Sequence, residues 1–170
     1  MTQTELKKIL DLHALWQWEC MNGGNEGEYA DLGGLDLSGL DLSHANLSNV
    51  NLCGADLTGA NLSYATLHEA DLRCAVLIKT DLTYAKMSSP NFRGANLHKS
   101  SFAGAELYGA DFSGADLSYT DWTDTKMRKC EIDSANRNGA YKWANGDIHI
   151  QLGMAEWEWN PNTSRKLSFQ

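Results

Sequence analysis

Aromatic residues make up only 9% of this 170-residue chain, and proline occurs just twice. A core this poor in rings must rely on aliphatic side chains, and the 42% hydrophobic fraction is enough to fill one. No run reaches the roughly 18 apolar residues of a membrane span. Met1-Thr2-Gln3-Thr4-Glu5-Leu6-Lys7-Lys8 leads into no apolar stretch with a cleavage site, so the expectation is a cytoplasmic protein without a secretion signal. The four cysteines, Cys20, Cys53, Cys74 and Cys130, lack C-x-x-C spacing, which argues against zinc. In a reducing compartment they stay thiols. Basic residues are also scarce: 14 Lys and Arg face 22 Asp and Glu, for a formal net charge of -8. That balance disfavours direct binding to nucleic acid or an anionic membrane. It leaves open a basic partner, or a protein that itself binds DNA. The five histidines share no spacing, and H-E-x-x-H, P-loop and G-x-S-x-G motifs are all missing. No catalytic residue, cofactor or metal ligand is predicted.

What the chain does have is a five-residue repeat. From Ala30 it reads Ala-Asp-Leu-Gly-Gly, Leu-Asp-Leu-Ser-Gly, Leu-Asp-Leu-Ser-His, Ala-Asn-Leu-Ser-Asn. Taking the central Leu as position i, every fifth residue from Leu32 to Ile132 is apolar, without an insertion, and these 21 positions include Met87, Phe92, Phe102, Phe112, Trp122 and Met127. Position i−2 is Ala in 12 units, i−1 is Asp or Asn in 14, and i+1 is Ser or Thr in 10. A period of five would smear the Leu around an α-helix and alternate it across a straight strand. It fits a short extended piece followed by a bend, with i−2 and i pointing inward. Gly at i+2, as at Gly34, Gly54 and Gly104, suits a bend with unusual backbone angles. The Asp and Asn residues at i−1 suit hydrogen bonding to neighbouring backbone at a turn better than calcium binding.

These residues resemble the pentapeptide-repeat family, whose consensus is Ala-(Asp/Asn)-Leu-x-x. The resemblance covers Ala30 to about Ser134. It implies an all-β solenoid, a right-handed quadrilateral β-helix with four units per coil and about five coils. Stacking by 20 residues would place Phe92 over Phe112 on one wall and Phe102 over Trp122 on the opposite wall. Cys53 and Cys74 would lie one coil apart, read as reduced thiols with a disulfide as the alternative.

An open solenoid end needs a cover. Thr2-Gln3-Thr4-Glu5 fits a capping box, Asn22-Gly23-Gly24 fits a stop, and Leu6, Ile9, Leu10, Leu12, His13, Trp16 and Cys20 share a helical face. Residues 1–24 are therefore predicted to be an N-terminal capping helix that meets Leu35 and Leu40. Leu15 and Trp18 point away from that face, as surface scatter or as a partner contact. Residues 30–135 are assigned to the β-helix, because the register fails at Arg137. Residues 136–170 become a C-terminal cap or dimerisation tail. In it, Asp147 to Leu152 alternates like a strand, and Trp157 and Trp159 follow. Related proteins often pair through their C-terminal ends, so a homodimer is the alternative to a cap.

Charge is unevenly placed. Between Lys8 and Arg73 there is no Lys or Arg, whereas ten acidic residues fall there, including Asp31, Asp36, Asp41, Asp56 and Asp71. These five are the candidate interface, with Leu15, Trp18, Trp157 and Trp159. From Arg73 to Lys142 basic residues outnumber acidic ones by ten to eight. Tyr64 and Tyr84 would stack at i+2. The reading is a non-enzymatic protein–protein interaction scaffold with an unspecified protein partner. The alternative is a DNA mimic that inhibits or protects a type II topoisomerase such as gyrase, as some proteins similar to this one do. An enzyme with its site in the tail is a third, weaker reading. The Leu12-His13-Ala14-Leu15-Trp16 segment, a Gly-rich turn and then Ala-Asp-Leu repeats resemble bacterial and bacteriophage members.

Overall fold

A computed structural model describes residues 1–23, 27, 29–128, 130 and 135, with backbone only for 151–152 and 155–156. Helix α1 spans Gln3–Asn22. The Thr2 hydroxyl accepts from the Glu5 amide at 3.3 Å, and the Glu5 carboxylate accepts from the Thr2 amide at 2.8 Å. This is the capping box predicted from the sequence, and Gly23 closes the helix in the left-handed region at φ 77°.

From Asp31 onward the chain stacks on itself in parallel. Asp31 pairs with Asn51, Asp36 with Asp56, Asp41 with Asn61 and Asn46 with Thr66, each at an offset of twenty residues, and the ladder continues to Ser101 with Asp121. Four pentapeptides therefore separate each residue from the one stacked on it. On one wall the bridges lengthen into strands β1 (Lys86–Ser88), β2 (Glu106–Tyr108) and β3 (Lys126–Arg128), paired in register. Strands β4 (Gln151–Leu152) and β5 (Ala155–Glu156) form a separate antiparallel pair. The first lies within the predicted Asp147–Leu152 strand, whose other residues are outside the described set.

Each corner has the same chemistry. All fourteen Asp and Asn residues at i−1 accept, through Oδ1, the amide of residue i+1 at 2.9–3.1 Å. This is the turn-forming use expected of them. The i+2 residue is left-handed at every unit from 34 to 124, with φ between 54° and 69°. Eight of these positions are Gly, and the others include Tyr64, Glu69 and Lys79. In most units the amide of the next i−2 residue closes the turn onto the carbonyl of i, as from Ala60 to Leu57 at 2.9 Å.

Pro90 cannot make that closure because it has no N–H. The turn after Met87 opens, and residues 86–88 run straight as β1. Among the described residues the coils stacked above, at Leu107 and Met127, make no closure either, and they form β2 and β3. The missing donor accounts for the open turn after Met87, and the two turns stacked on it share its extended form.

The apolar positions from Leu32 to Met127 line one buried column, with Ala at i−2 packed beside them. Ile132 is outside the described residues, and Ala135 packs at the column's far end. Phe92 stacks on Phe112 at 4.8 Å and Phe102 on Trp122 at 4.3 Å. The two stacks meet edge to face across the core, as between Phe112 and Trp122 at 5.7 Å.

Helix α1 covers the first coil and satisfies its open edge. The Gln3 side-chain amide donates to the Asp41 carbonyl at 2.6 Å and accepts from the Asp41 amide at 2.9 Å, in place of a neighbouring strand. His13 is fully buried. Its Nδ1 accepts from the Ala30 amide at 3.2 Å, so the proton sits on Nε2, which donates to the Ser48 carbonyl at 2.9 Å. Trp16 stacks on His13, and Tyr29 packs edge-on to both. The buried face is narrower than predicted. Leu6 and His13 are buried, but Leu12 is 41% exposed and Cys20 is also exposed. The lid contact expected at Leu35 and Leu40 is uneven. Leu40, like Ile9 and Leu10 of the helix, is partly buried against the core, whereas Leu35 stays exposed.

Candidate interaction surfaces

The stacking register sorts the five candidate aspartates onto three different walls. Asp31 and Asp71 share one wall, with Asn51 between them; Asp36 and Asp56 are stacked on the next; Asp41 lies on the third. They form no single stripe, because acidic i−1 positions recur every five residues while a wall repeats every twenty. Asp71 is also bound by the Arg73 guanidinium at 2.7 Å, which holds its carboxyl below the usual range, and the Arg73 amide adds to this. Hydrogen bonds from Ser38 and Ser43 lower Asp36 and Asp41 in the same direction.

The third wall stands apart. It carries Asp41, Asp81, Asp121 and Asp124 and no Lys or Arg among its described residues. His44, Tyr64 and Tyr84 stand along its corner at i+2, stacked at 5.1 and 5.0 Å. Both tyrosines are half exposed. The ladder ends on Gly104, where an added Cβ would run into the Tyr84 ring. The sequence pointed to the tyrosines. It also held the signal for His44, which lies twenty residues before Tyr64.

The sheet wall is the basic one. Lys86, Glu106 and Lys126 line one side of a shallow groove of ≈ 390 Å³; His68, Tyr108 and Arg128 line the other. Lys126 binds Glu106 at 2.8 Å. Elsewhere the stacked bases are partly neutralised, since Arg93 pairs with Asp111 at 3.2 Å. Leu15 and Trp18 are exposed on α1, and the more exposed Met21 joins them. Trp157, Trp159, Arg137 and the tail boundary at residue 136 lie outside the described residues.

Among the described residues no group of three or more His, Cys, Asp or Glu side chains is placed to hold a metal ion, and no helix is long and apolar enough to cross a membrane. All four cysteines are unpaired. Burial pushes the Cys130 thiol up to about 11, which makes it unreactive.

Stacked parallel coils around a single apolar column define a β-helix solenoid. A family model of pentapeptide repeats matches in eight copies over residues 28–59, 36–73, 60–98, 75–114 and 105–140. The chain belongs to the pentapeptide-repeat family, and with it goes the right-handed β-helix. A pentapeptide repeat protein of the Arabidopsis thaliana thylakoid lumen superimposes with a TM-score of 0.55 at 34% identity, over 56% of this chain and 67% of that one. Rfr23 from the cyanobacterium Cyanothece 51142 gives 0.54 at 22% identity, over 65% and 85%. QnrB1, a plasmid-mediated fluoroquinolone resistance protein, gives 0.38 at 18% identity, over 66% and 72%, too slight a likeness to argue from. No curated protein sequence matches.

Proposed function

We propose that this protein is a non-enzymatic interaction scaffold acting in the cytoplasm. On this reading it is a quadrilateral rod of about five coils, roughly 4.8 Å apart, that presents its walls to a protein partner. One observation carries the reading. Every consensus Asp and Asn among the described residues spends its Oδ1 on a corner, so walls differ by the side chains that depart from the consensus and by which consensus carboxylates have a basic partner, and both are segregated by wall. The domain limits 1–24, 30–135 and 136–170 belong to this proposal, as does a tail that caps or pairs two copies. Affinity capture with the intact chain tests it. Recovery of one stoichiometric protein supports the scaffold, and recovery of none from cells that express it counts against it.

The second reading is a DNA mimic directed at gyrase. It is favoured by the interval from Ile9 to Leu72, which has no Lys or Arg, and by the net charge of -8. The spread of Asp31, Asp36, Asp41, Asp56 and Asp71 over three walls weighs against a continuous negative track. A supercoiling assay separates the two readings. If micromolar protein neither inhibits nor protects gyrase, the gyrase reading falls.

A further inference from the structure

The geometry points to the acidic aromatic wall as a docking track for an extended cationic segment in polyproline II conformation, with Lys or Arg at every third residue. The inference rests on the scaffold reading and names the wall and the partner chemistry. Three observations converge on it.

The first is charge. Asp41, Asp81 and Asp121 each use Oδ1 for the corner, towards Ser43, Thr83 and Thr123 at 2.9–3.0 Å. Asn61 also donates to Asp41 Oδ1 at 3.2 Å, the Ser43 side chain bonds the same carboxylate, and the Thr123 hydroxyl donates to Asp121 Oδ1 at 2.7 Å. Among the described residues no Lys or Arg pairs with any of the three, and the nearest bases, Lys79 and Lys99, stand on the corner that leads into the wall. These carboxylates are accessible acceptors for a guanidinium or ammonium.

The second is spacing. The three carboxylates stand on alternate coils, two bridges apart: Asp41 to Asn61 to Asp81, then to Ser101 and Asp121. At about 4.8 Å per coil, consecutive carboxylates are about 9.6 Å apart. A polyproline II helix advances about 3.1 Å per residue with three residues per turn, so every third side chain lies on one face about 9.3 Å from the last. A β-strand does not fit, because its i and i+3 side chains face opposite ways.

The third is the aromatic ridge. His44, Tyr64 and Tyr84 turn their ring faces to one another, and the far face of Tyr84 rests over Gly104. The faces that a sugar or a nucleobase would stack on are thus largely occupied. The wall instead offers edges and hydroxyls beside carboxylates, which suits the aliphatic stems of Lys and Arg with their charged heads beyond. A phosphate backbone would be repelled by the aspartates.

The test is titration calorimetry of the full chain with the peptide (Arg-Pro-Pro)4. A peptide of identical composition with its four arginines in one block is the control. Saturable, salt-sensitive binding of the spaced peptide is expected, with the block peptide at least tenfold weaker. The D41N/D81N/D121N variant should lose at least tenfold. It keeps the corners, because Asn46, Asn51 and Asn61 already make the same backbone bond at 3.0–3.1 Å. Tyr64→Ser with Tyr84→Ser should also weaken binding. Equal affinity for the two peptides, unchanged affinity in the triple variant, or preference for duplex DNA overturns the inference. If the triple variant still captures a cellular partner as well as the parent does, the scaffold reading stands and this assignment of wall and chemistry falls. Loss of all capture in the parent chain removes the scaffold reading itself.

Discussion

Replacing His13 with Ala should release the N-terminal lid while leaving the distant coils folded. The imidazole is fully buried and joins the helix to both ends of the first coil, at Ala30 and Ser48. Its loss orphans the Ala30 amide, at about 1–3 kcal/mol for a buried unsatisfied donor, and removes the Ser48 bond, worth about 0.5–1.5 kcal/mol. Lost ring contacts with Trp16 and Tyr29 add about 0.5–1.5 kcal/mol. The total, about 2–6 kcal/mol, falls on helix docking, because a solenoid couples only nearest neighbours. Amide hydrogen exchange reads this directly. Protection at Ala30 and along α1 should drop at least about 30-fold, the equivalent of about 2 kcal/mol. Amides around Phe92 to Phe112 should keep theirs. Unchanged protection at Ala30 would refute the latch. An equal drop in every coil would refute the local coupling.

Phe102→Ala should destabilise the solenoid by about 3–5 kcal/mol in urea unfolding, because it removes one ring of the Trp122 stack and leaves a cavity among fully buried neighbours. Ser100→Ala should raise stability by about 1 kcal/mol, since its buried hydroxyl lacks a hydrogen-bond partner and Ala is the consensus residue at i−2; a lower urea midpoint would count against this. Gly54→Ala should cost more than about 1 kcal/mol although nothing lies within 4 Å of the added Cβ, because φ is 68° there. Stability should also fall in acid. Asp36, Asp41 and Asp71 titrate lower when folded than when unfolded. Their contribution is complete above the unfolded carboxyl value of about 3.9 and is lost as pH drops through the folded ones. Urea midpoints that stay flat from pH 6 to 2.5 would exclude it.

The repeat by itself determined the local step of the chain. A strict five-residue spacing of Leu, with Ala two residues earlier, calls for a short extended piece and a bend that turn both inward; the twenty-residue coil is what the family resemblance implied, and the ring stacks at Phe92/Phe112 and Phe102/Trp122 follow from it. The capping box at Thr2 and Glu5 was equally legible, because it depends on four adjacent residues. Only the tertiary structure decided what joins distant positions. A helical wheel cannot tell which of Leu6, Leu12, His13 and Cys20 meets the coil, because the docking angle is set by Ala30, Asp41 and Ser48. Nor does an acidic stretch in sequence amount to an acidic face: consecutive aspartates turn a corner every five residues, so Asp31, Asp36 and Asp41 part while Asp41, Asp81 and Asp121 align. Pro90 shows the same division. Its missing N–H is written in the sequence, but that the open turn after Met87 lies in register under two others, at Leu107 and Met127, is visible only in the stacked coils.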